Sequence, residues 1–163
     1  MNISFLLIGG NEGDRMDELA KACANIEGAG WTILRRSSLY ETAPWGKEDQ
    51  APFLNQALHV RGNTDAPRLM DMLLGIEEKM GRRRLEKYGS RNIDIDMLFF
   101  NEEIIHSPRL IVPHPEIQNR RFALTPMEEI APDYVHPVLH KSIRELLAIC
   151  PDKLEVKKIT NNG

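Results

Sequence analysis

Residues 91–99 alternate between polar and apolar positions with the period of a β-strand. One face of this strand would carry Ile93, Ile95, Met97 and Phe99. The other face would carry Asp94 and Asp96, followed by Leu98 and Phe100. Carboxylates two residues apart on a strand are separated by about 6.5 Å, and at an effective dielectric near 20 they repel each other by roughly 2 to 3 kcal/mol. We therefore expect a cation between them, and Mg²⁺ suits the site because it prefers carboxylate oxygens and is often shared with phosphates.

The segment just upstream is strongly basic. From Gly81 to Arg91 it contains five cations and one anion. Guanidinium groups match phosphate oxygens in pairs of hydrogen bonds, and metal-binding carboxylates beside them suit a bound polyphosphate. Two simpler interpretations stay open. The aspartates could lie on a solvated edge strand, and Arg82 to Arg84 could be a solvated helix end favoured by the macrodipole, as we expect for Arg83 in any case.

Further residues around this strand form a recognisable set. The set comprises Glu77, Arg82, Arg84, Arg91, Asp94 and Asp96, then Val112-Pro113-His114, Asn119-Arg120 and Phe122. In these positions the sequence resembles the 6-hydroxymethyl-7,8-dihydropterin pyrophosphokinase family, and the resemblance runs from Ile8-Gly9 to about His136. It implies transfer of the β,γ-diphosphoryl group of ATP to the hydroxymethyl group of 6-hydroxymethyl-7,8-dihydropterin. This step of folate biosynthesis yields AMP and the pterin diphosphate.

The resemblance also implies roles for individual residues. The catalytic set would be Arg82, Arg91, Asp94 and Asp96. The ATP contacts would be Glu77, Arg82, Arg84, Arg91, His114 and Arg120. The pterin contacts would be Thr42, Pro44, Trp45, Phe53, Asn55, Asp94 and Phe122, and Tyr88 would belong to a lid. Two Mg²⁺ ions would be held by Asp94 and Asp96, with ATP as co-substrate.

The chain departs from the common family pattern at some of these positions. The departures are Ala43, Trp45, Phe53, Tyr88 and Ser90, where many relatives carry proline, leucine, tyrosine, tryptophan and proline, respectively. They concern the pterin pocket and the lid. Two residues also have simpler interpretations: Glu77 has the setting of a solvated helix residue, and an isolated His114 would be a hydrogen-bonded structural histidine.

The hydrophobic pattern predicts an α+β fold. Residues 3–8 are nearly all apolar, which indicates a central strand buried on both faces. Two further strands are predicted at residues 31–40 and 53–61, with a helix after the first strand and another after the third. The N-caps of these helices would be Asp14 and either Thr64 or Asp65. With the aspartate-bearing strand the order is βαββαβ, which favours a ferredoxin-like antiparallel sheet with both helices on one face.

The C-terminal third is predicted to be less regular. Asn101-Glu102 would turn the chain into Ile104-Ile105, forming a hairpin added to the aspartate-bearing strand. Three nearby prolines exclude long regular structure, so Val112-Pro113-His114 would present its histidine from a rigid bend. A short helix at residues 127–130 would follow. The spacing of Ser142 and Glu145 predicts a capping box that opens a last helix.

Composition indicates one soluble domain over residues 1–163. The chain is 42% hydrophobic and 28% charged, and its net charge of −3 argues against general affinity for nucleic acid or anionic membranes. The early apolar run lacks a basic leader and is far too short to cross a bilayer. We therefore expect a cytoplasmic monomer whose partners are ATP and the pterin, with a frayed tail from about residue 153.

Other functions stay open at this stage. Ferredoxin-like sheets also bind RNA, but such a module would carry a basic surface where this chain has two aspartates. A different Mg²⁺-dependent transferase would be distinguished by its product, because an ordinary kinase releases ADP and a pyrophosphokinase releases AMP. His136 and His140 have the spacing of metal ligands, but Pro137 interrupts a helix between them and no third ligand is evident, so we predict no zinc site.

Overall fold

An antiparallel sheet lies between two layers of helices in the computed structural model, which describes residues 1–43, 51–81 and 92–159. The strands are β1 (Asn2–Gly10), β2 (Thr32–Arg36), β3 (Leu39–Thr42), β4 (Phe53–Gly62), β5 (Asp94–Phe100), β6 (Ile105–His106), β7 (Ile111–Val112) and β8 (Val156–Ile159). The helices are α1 (Arg15–Gly28), α2 (Ala66–Lys79), α3 (Arg121–Ile130) and α4 (Ile143–Ala148), with a 3-10 turn at Ile117–Asn119 before α3. Within the described ranges, no helix has the length and apolarity needed to cross a membrane.

The strand order confirms the predicted α+β fold. The sheet runs β5-β1-β4-β3-β8, and β2 lies beside β3 along the same edge of β4. All of these pairs are antiparallel. If β2 and β3 are taken as one interrupted strand, the first six elements form the βαββαβ unit with the order expected of a ferredoxin-like sheet.

The central strand β1 separates two hydrophobic cores. Leu6 and Ile8 pack with residues of α1 and α2, whereas Phe5 and Leu7 pack with residues of α3 and α4. Side chains alternate across a strand, so a strand covered by helices on both faces must be apolar throughout. This is the reason why residues 3–8 are nearly all apolar, and the one polar residue, Ser4, donates its hydroxyl hydrogen bond to the Phe99 carbonyl. The predicted central position is confirmed.

A bulge in β5 changes the predicted faces of its two last residues. Leu6 of β1 pairs with Met97 and Phe5 pairs with Phe99, so Leu98 is an extra residue in β5. Phe100 therefore packs with the α1 and α2 core, and Phe99 packs with the α3 and α4 core, the reverse of strict alternation. The bulge follows Asp96, so the prediction that the two aspartates share a face is unaffected.

Three further segments differ from the sequence prediction. Residues 31–40 form two strands, because the Ser37 N–H donates to the Ala57 carbonyl but the Ala57 N–H donates to the Ser37 hydroxyl oxygen, which interrupts the regular ladder. The hairpin predicted between β5 and residues 104–105 is wrong: β6 pairs with β7 in a separate two-stranded sheet. The tail, expected to be frayed from residue 153, instead contains β8, whose Ile159 pairs with Leu39 of β3.

The helix ends agree with the predicted capping residues. Asp14 accepts a hydrogen bond from the Asp17 N–H, and Asp65 accepts one from the Arg68 N–H. Ser142 and Glu145 form the capping box of α4. By contrast, α3 is longer than the predicted helix at residues 127–130 and begins at Arg121.

Glu129 joins α3 by hydrogen bonds to the junction between β2 and β3. Its carboxylate accepts hydrogen bonds from the Ser38 N–H at 3.0 Å and from the Tyr40 hydroxyl at 2.6 Å. Partial burial raises the pKa of Glu129, but the hydrogen bonds from Tyr40 and Ser38 outweigh it and hold that pKa below its usual value of 4.5. The ionised form is therefore the one that stabilises the fold.

We expect Glu129→Gln to lower the free energy of unfolding at pH 7 by about 1 kcal/mol, a modest value because the side chain is exposed. The difference should shrink as the pH falls through the depressed pKa, because the folded carboxylate then loses its charge. Chemical denaturation of both proteins from pH 3 to 7, with Glu128→Gln as control, measures this. A difference that is independent of pH would contradict the assignment.

Candidate active site

The register of the sheet brings predicted site residues from three strands into rows on one face. Asp94 of β5 pairs with Gly9 of β1, which pairs with Asn55 of β4. In the adjacent row, Asp96 pairs with Leu7, which packs with the α3 and α4 core. The aspartates and Asn55 therefore lie on the α3 side of the sheet. Residues predicted for metal and for pterin binding share this surface although they are about 40 positions apart in the chain.

Gly9 leaves room for the Asn55 side chain. A Cβ atom built on Gly9 would overlap the Asn55 amide, so only glycine lets this side chain lie across β1 toward Asp94. Asn55 is 6% exposed. The sequence predicted Asn55 as a pterin contact, but the role of Gly9 follows only from the strand register.

Thr42 and Phe53 extend the same surface. They pair with each other one row beyond Asn55. Thr42 is buried, and its hydroxyl oxygen has no hydrogen-bond partner among the residues that the structure describes. A buried polar atom without a partner costs about 1 to 3 kcal/mol, and a polar ligand would remove this cost. Both residues thus lie beside Asn55 on one face of the sheet, and their assignment as pterin contacts stays a prediction.

His114 is fixed beside β5 by its backbone and its ring. Its N–H donates to the Leu98 carbonyl at 2.9 Å, two residues after Asp96. Its Nδ1 accepts a hydrogen bond from the Glu116 N–H at 3.1 Å. The proton of the neutral ring therefore lies on Nε2, which is the tautomer that this hydrogen bond requires. The preceding Val112–Pro113 peptide bond is cis.

The imidazole of His114 is neutral at physiological pH. Burial, with a smaller contribution from the Arg120 guanidinium, lowers the pKa of His114 to about 4. His114 can therefore donate a hydrogen bond from Nε2 to an anionic ligand without adding positive charge. Any positive charge at this position must come from a neighbouring side chain.

Arg120 supplies such a charge at the start of α3. Its Cζ atom lies 5.7 Å from the centroid of the Phe122 ring, which is within cation–π range. Phe122 packs against the α3 and α4 core, and the Arg120 charge is close enough to His114 to help lower its pKa. The sequence predicted Arg120 for ATP and Phe122 for the pterin, and the structure brings the two side chains together.

The donor set of Asp94 and Asp96 fits Mg²⁺. Both carboxylates are half-buried, lie on one face of β5, and are hard oxygen ligands. Among the described residues, no group of three or more His, Cys, Asp or Glu side chains could enclose a metal ion. A pair of carboxylates completed by water and phosphate oxygens is the arrangement that Mg²⁺ favours.

Glu77 is buried, not solvated as its sequence setting indicates. It is 5% exposed, and its Oε2 accepts a hydrogen bond from the Ile95 N–H at 2.6 Å. Ile95 is the residue between the two aspartates. The helical position of Glu77 gave no sign of this contact, because it depends on how α2 packs against β5.

Asn11 and Arg15 were not predicted as site residues. The Asn11 amide donates to the Ala51 carbonyl at 2.9 Å, and Arg15 donates to the Pro52 carbonyl at 3.0 Å and to Glu41 at 2.8 Å. These bonds hold the chain entering β4 against the loop after β1. Asn11 is buried, and its acceptor lies 40 positions away in the chain, so no local sequence pattern pointed to this contact.

The remaining predicted site residues lie outside the described residues. They are Pro44, Trp45, Arg82, Arg84, Tyr88 and Arg91. Their assignments stay predictions.

The chain matches the sequence model of a known protein family over most of its length. The sequence model of the 7,8-dihydro-6-hydroxymethylpterin-pyrophosphokinase family matches residues 5–132. The chain belongs to this family. The matched range contains all of the site residues discussed above.

Curated members of the pyrophosphokinase family align over most of the chain. The 2-amino-4-hydroxy-6-hydroxymethyldihydropteridine pyrophosphokinase of Bacillus subtilis is 42% identical over 130 residues, which cover 79% of this chain and 78% of that protein. The enzyme of the same name from Aquifex aeolicus is 36% identical over 141 residues, which cover 86% of this chain and 88% of that protein.

Solved structures of HPPK-DHPS proteins share the fold of this pyrophosphokinase family member. The Plasmodium falciparum HPPK-DHPS wild type with pteroate has a TM-score of 0.74 at 18% identity, covering 90% of this chain and 44% of that chain. The wild type with SDX-DHP has a TM-score of 0.72 at 20% identity, covering 91% of this chain and 43% of that chain. The chain thus spans less than half the length of the chain in each of these two structures, and the likeness establishes the fold.

We expect Gly9→Ala to displace the Asn55 side chain and to lower the free energy of unfolding by roughly 1 to 3 kcal/mol, because the added Cβ overlaps the Asn55 amide. The side-chain amide NMR signals of Asn55 and a denaturation curve measure the two effects. The control is Gly28→Ala, since a Cβ at Gly28 meets no atom within 4 Å. Unchanged Asn55 signals and stability in Gly9→Ala would refute the steric role.

The His114 ring should titrate with a midpoint of about 4 in the folded protein, because burial disfavours its charged form. The unfolded ring titrates near 6.5. As the pH falls from 6.5 toward 4, the unfolded state therefore binds a proton that the folded state does not, and the free energy of unfolding decreases. Ring ¹⁵N shifts across the titration measure the midpoint and the tautomer. The free energy of unfolding of His114→Gln should decrease less than that of the wild type over this pH interval. A folded midpoint near 6.5 would contradict the buried, neutral ring.

Proposed function

We propose that the protein transfers the β,γ-diphosphoryl group of ATP to the hydroxymethyl group of 6-hydroxymethyl-7,8-dihydropterin, giving AMP and the pterin diphosphate. The observation that carries the proposal is the row formed by Asp94, Gly9 and Asn55. It sets Asp94, one of the two carboxylates suited to metal and phosphate, in register with a buried amide suited to a heteroaromatic edge, and Asp96 lies in the next row on the same face. The family membership and the names of the relatives support the same reaction.

The pterin would lie against the side of the sheet that carries Asn55. Asn55 would bond its heteroaromatic edge, and the unpartnered hydroxyl of Thr42 offers a further polar contact. The rings of Phe53 and Phe122 are the candidates for stacking on the two faces of the pterin, which is a common way to bind flat heterocycles. Pro44 and Trp45 are proposed to complete the pocket, and Tyr88 is proposed to cover it, by resemblance to the family.

The ATP phosphates would lie between the aspartates and the cationic side chains. Arg120 and the neutral Nε2–H of His114 would contact them from the segment before α3. By resemblance, Arg82, Arg84 and Arg91 would contact the other side, and Glu77 belongs to the ATP site. Multiple guanidinium groups suit a reaction in which negative charge spreads over several phosphate oxygens.

Asp94 and Asp96 would hold the two Mg²⁺ ions that the family resemblance implies. Bound Mg²⁺ would supply charge neutralisation and alignment of the phosphate oxygens. The chain itself would fix the two substrates and exclude water, which can contribute about 7 to 11 kcal/mol through orientation. No covalent intermediate on the protein is required.

The proposal also includes the setting of the reaction. The net charge of −3 suits a cytoplasmic enzyme for small molecules better than one that binds nucleic acid or an anionic membrane surface. We propose that the enzyme acts as a monomer, because every residue of the proposed site belongs to one chain.

Product analysis tests the reaction directly. The protein is mixed with ATP, Mg²⁺ and 6-hydroxymethyl-7,8-dihydropterin, and AMP is resolved from ADP. We expect AMP and the pterin diphosphate in equal amounts, with no turnover when Mg²⁺ is removed by EDTA. Formation of ADP would replace the proposal with ordinary phosphoryl transfer, and absence of turnover would reject the transferase assignment.

The aspartates should each be required for turnover. We expect Asp94→Asn and Asp96→Asn to lower kcat at least about a hundredfold and to weaken Mn²⁺ binding measured with an ATP analogue, because each removes a carboxylate ligand. The matched control is Asp71→Asn, an exposed aspartate paired with Arg109. Full activity in either site variant would rule out the proposed metal site.

A further inference from the structure

The buried carboxylate of Glu77 has a specific backbone partner. Glutamates are rarely buried without a partner, because transfer of an ionised group out of water is costly. Glu77 is 5% exposed, and its Oε2 accepts the Ile95 N–H at 2.6 Å. A contact this short with a charged acceptor is stronger than an ordinary backbone hydrogen bond. The carboxylate therefore fixes the Ile95 peptide group.

Ile95 occupies a sensitive position in the sheet. It lies between Asp94 and Asp96. Its strand β5 is an edge strand, because β1 is its only strand neighbour in the main sheet of the described residues. The outer edge of such a strand has backbone N–H groups that no other strand accepts. Because the Ile95 N–H donates to Glu77, the edge of β5 is held at the residue between the two carboxylates.

A second hydrogen bond joins the same two elements. The Asn92 side-chain amide donates to the carbonyl of Met80, the C-cap residue of α2, at 2.8 Å. Ile93, between the two contacts, is fully buried. The last turn of α2 is thus attached to the start of β5 at two points on either side of a core residue.

We infer that Glu77 is a positioning residue that sets the geometry of the aspartate pair through the Ile95 peptide. The inference rests on the proposed function. The Ile95 N–H belongs to the peptide that joins Asp94 to Ile95. Rotation of this peptide would move Asp94 directly, and it would move Asp96, one residue further along, through Ile95. Misplacement of reacting groups by about 1 Å can cost on the order of a hundredfold in rate. Glu77 holds the backbone that carries the proposed metal ligands.

This role differs from the ATP contact that the family resemblance implies for Glu77. A direct nucleotide ligand would affect nucleotide binding whether or not metal is present. A positioning residue would affect the metal-dependent properties, and its effect would depend on whether the substituted side chain can still accept a hydrogen bond. The two roles are therefore separable by the choice of variant.

Three variants of the full chain provide the test. Glu77→Gln loses the charge but keeps an oxygen that can accept the Ile95 N–H. Glu77→Leu fills similar space without an acceptor. Glu78→Gln removes the charge of the adjacent exposed glutamate and serves as the control. The measurements are amide exchange at Ile95, Mn²⁺ affinity in the presence of a non-hydrolysable ATP analogue, binding of that analogue in EDTA, and kcat with KM for the pterin.

We expect Glu77→Leu to accelerate Ile95 exchange by about tenfold or more. It should also weaken Mn²⁺ binding and lower kcat by about tenfold, with a change below about threefold in the pterin KM. Glu77→Gln should restore most of each property, and Glu78→Gln should match the wild type. If Glu77→Leu does not fold, Asn92→Ala must give the same pattern in weaker form.

Four outcomes would overturn the inference. An unchanged rate of Ile95 amide exchange in Glu77→Leu would show that Glu77 does not protect the Ile95 N–H, on which the inference depends. Faster exchange with unchanged Mn²⁺ affinity and kcat would make the bond purely structural. Equal loss of analogue binding in EDTA for Glu77→Gln and Glu77→Leu would make Glu77 a direct nucleotide ligand. A wild-type pattern in Asn92→Ala, where it replaces Glu77→Leu, would also reject the role. Absence of wild-type turnover would reject the proposed function, while exchange and Mn²⁺ affinity would still decide the inference.

Discussion

The backbone hydrogen bonding of β5 determines the arrangement of the candidate site. One edge of the strand forms a ladder with the buried central strand β1, which sets Asp94 beside Gly9 and Asp96 beside Leu7. Glu77 accepts an N–H of β5 from the α2 side, and His114 donates to one of its carbonyls from the segment before α3. Three separate parts of the chain thus converge on one strand. The carboxylates therefore sit on a strand that is anchored by β1, by Glu77 and by His114.

Local sequence patterns predicted the structural features that depend on residues close together in the chain. The acidic face of β5, the apolar β1 and the capping residues Asp14 and Asp65 follow from periodicity and from backbone groups within one turn. The family resemblance then selected residues such as Asn55 and Thr42, whose local sequence is unremarkable for a strand. The alignment of Asn55 with Asp94 across three strands, and the place of Thr42 on a fourth strand, could not be derived from spacing alone.

Features that depend on distant partners were missed or wrongly predicted. The β8 strand reads as a polar tail because its partner β3 lies more than 100 residues earlier. Glu77 reads as solvated because only the packing of α2 on β5 buries it. The hydrogen bond of Asn11 could not be predicted because its acceptor, the Ala51 carbonyl, is 40 residues away. In each case the deciding contact has a sequence separation that no local pattern encodes.

The single extra residue at Leu98 gives β5 an anchoring group that a regular strand would lack. Without this residue, Met97 would stay opposite Leu6 and Phe99 opposite Phe5, so the aspartates and both phenylalanines would keep their faces. The loss would fall on the contacts of Leu98 itself. Its side chain packs in the α3 and α4 core, and its carbonyl accepts the His114 N–H. The bulge therefore serves the attachment of the His114 segment to β5, and the register of the sheet does not depend on it.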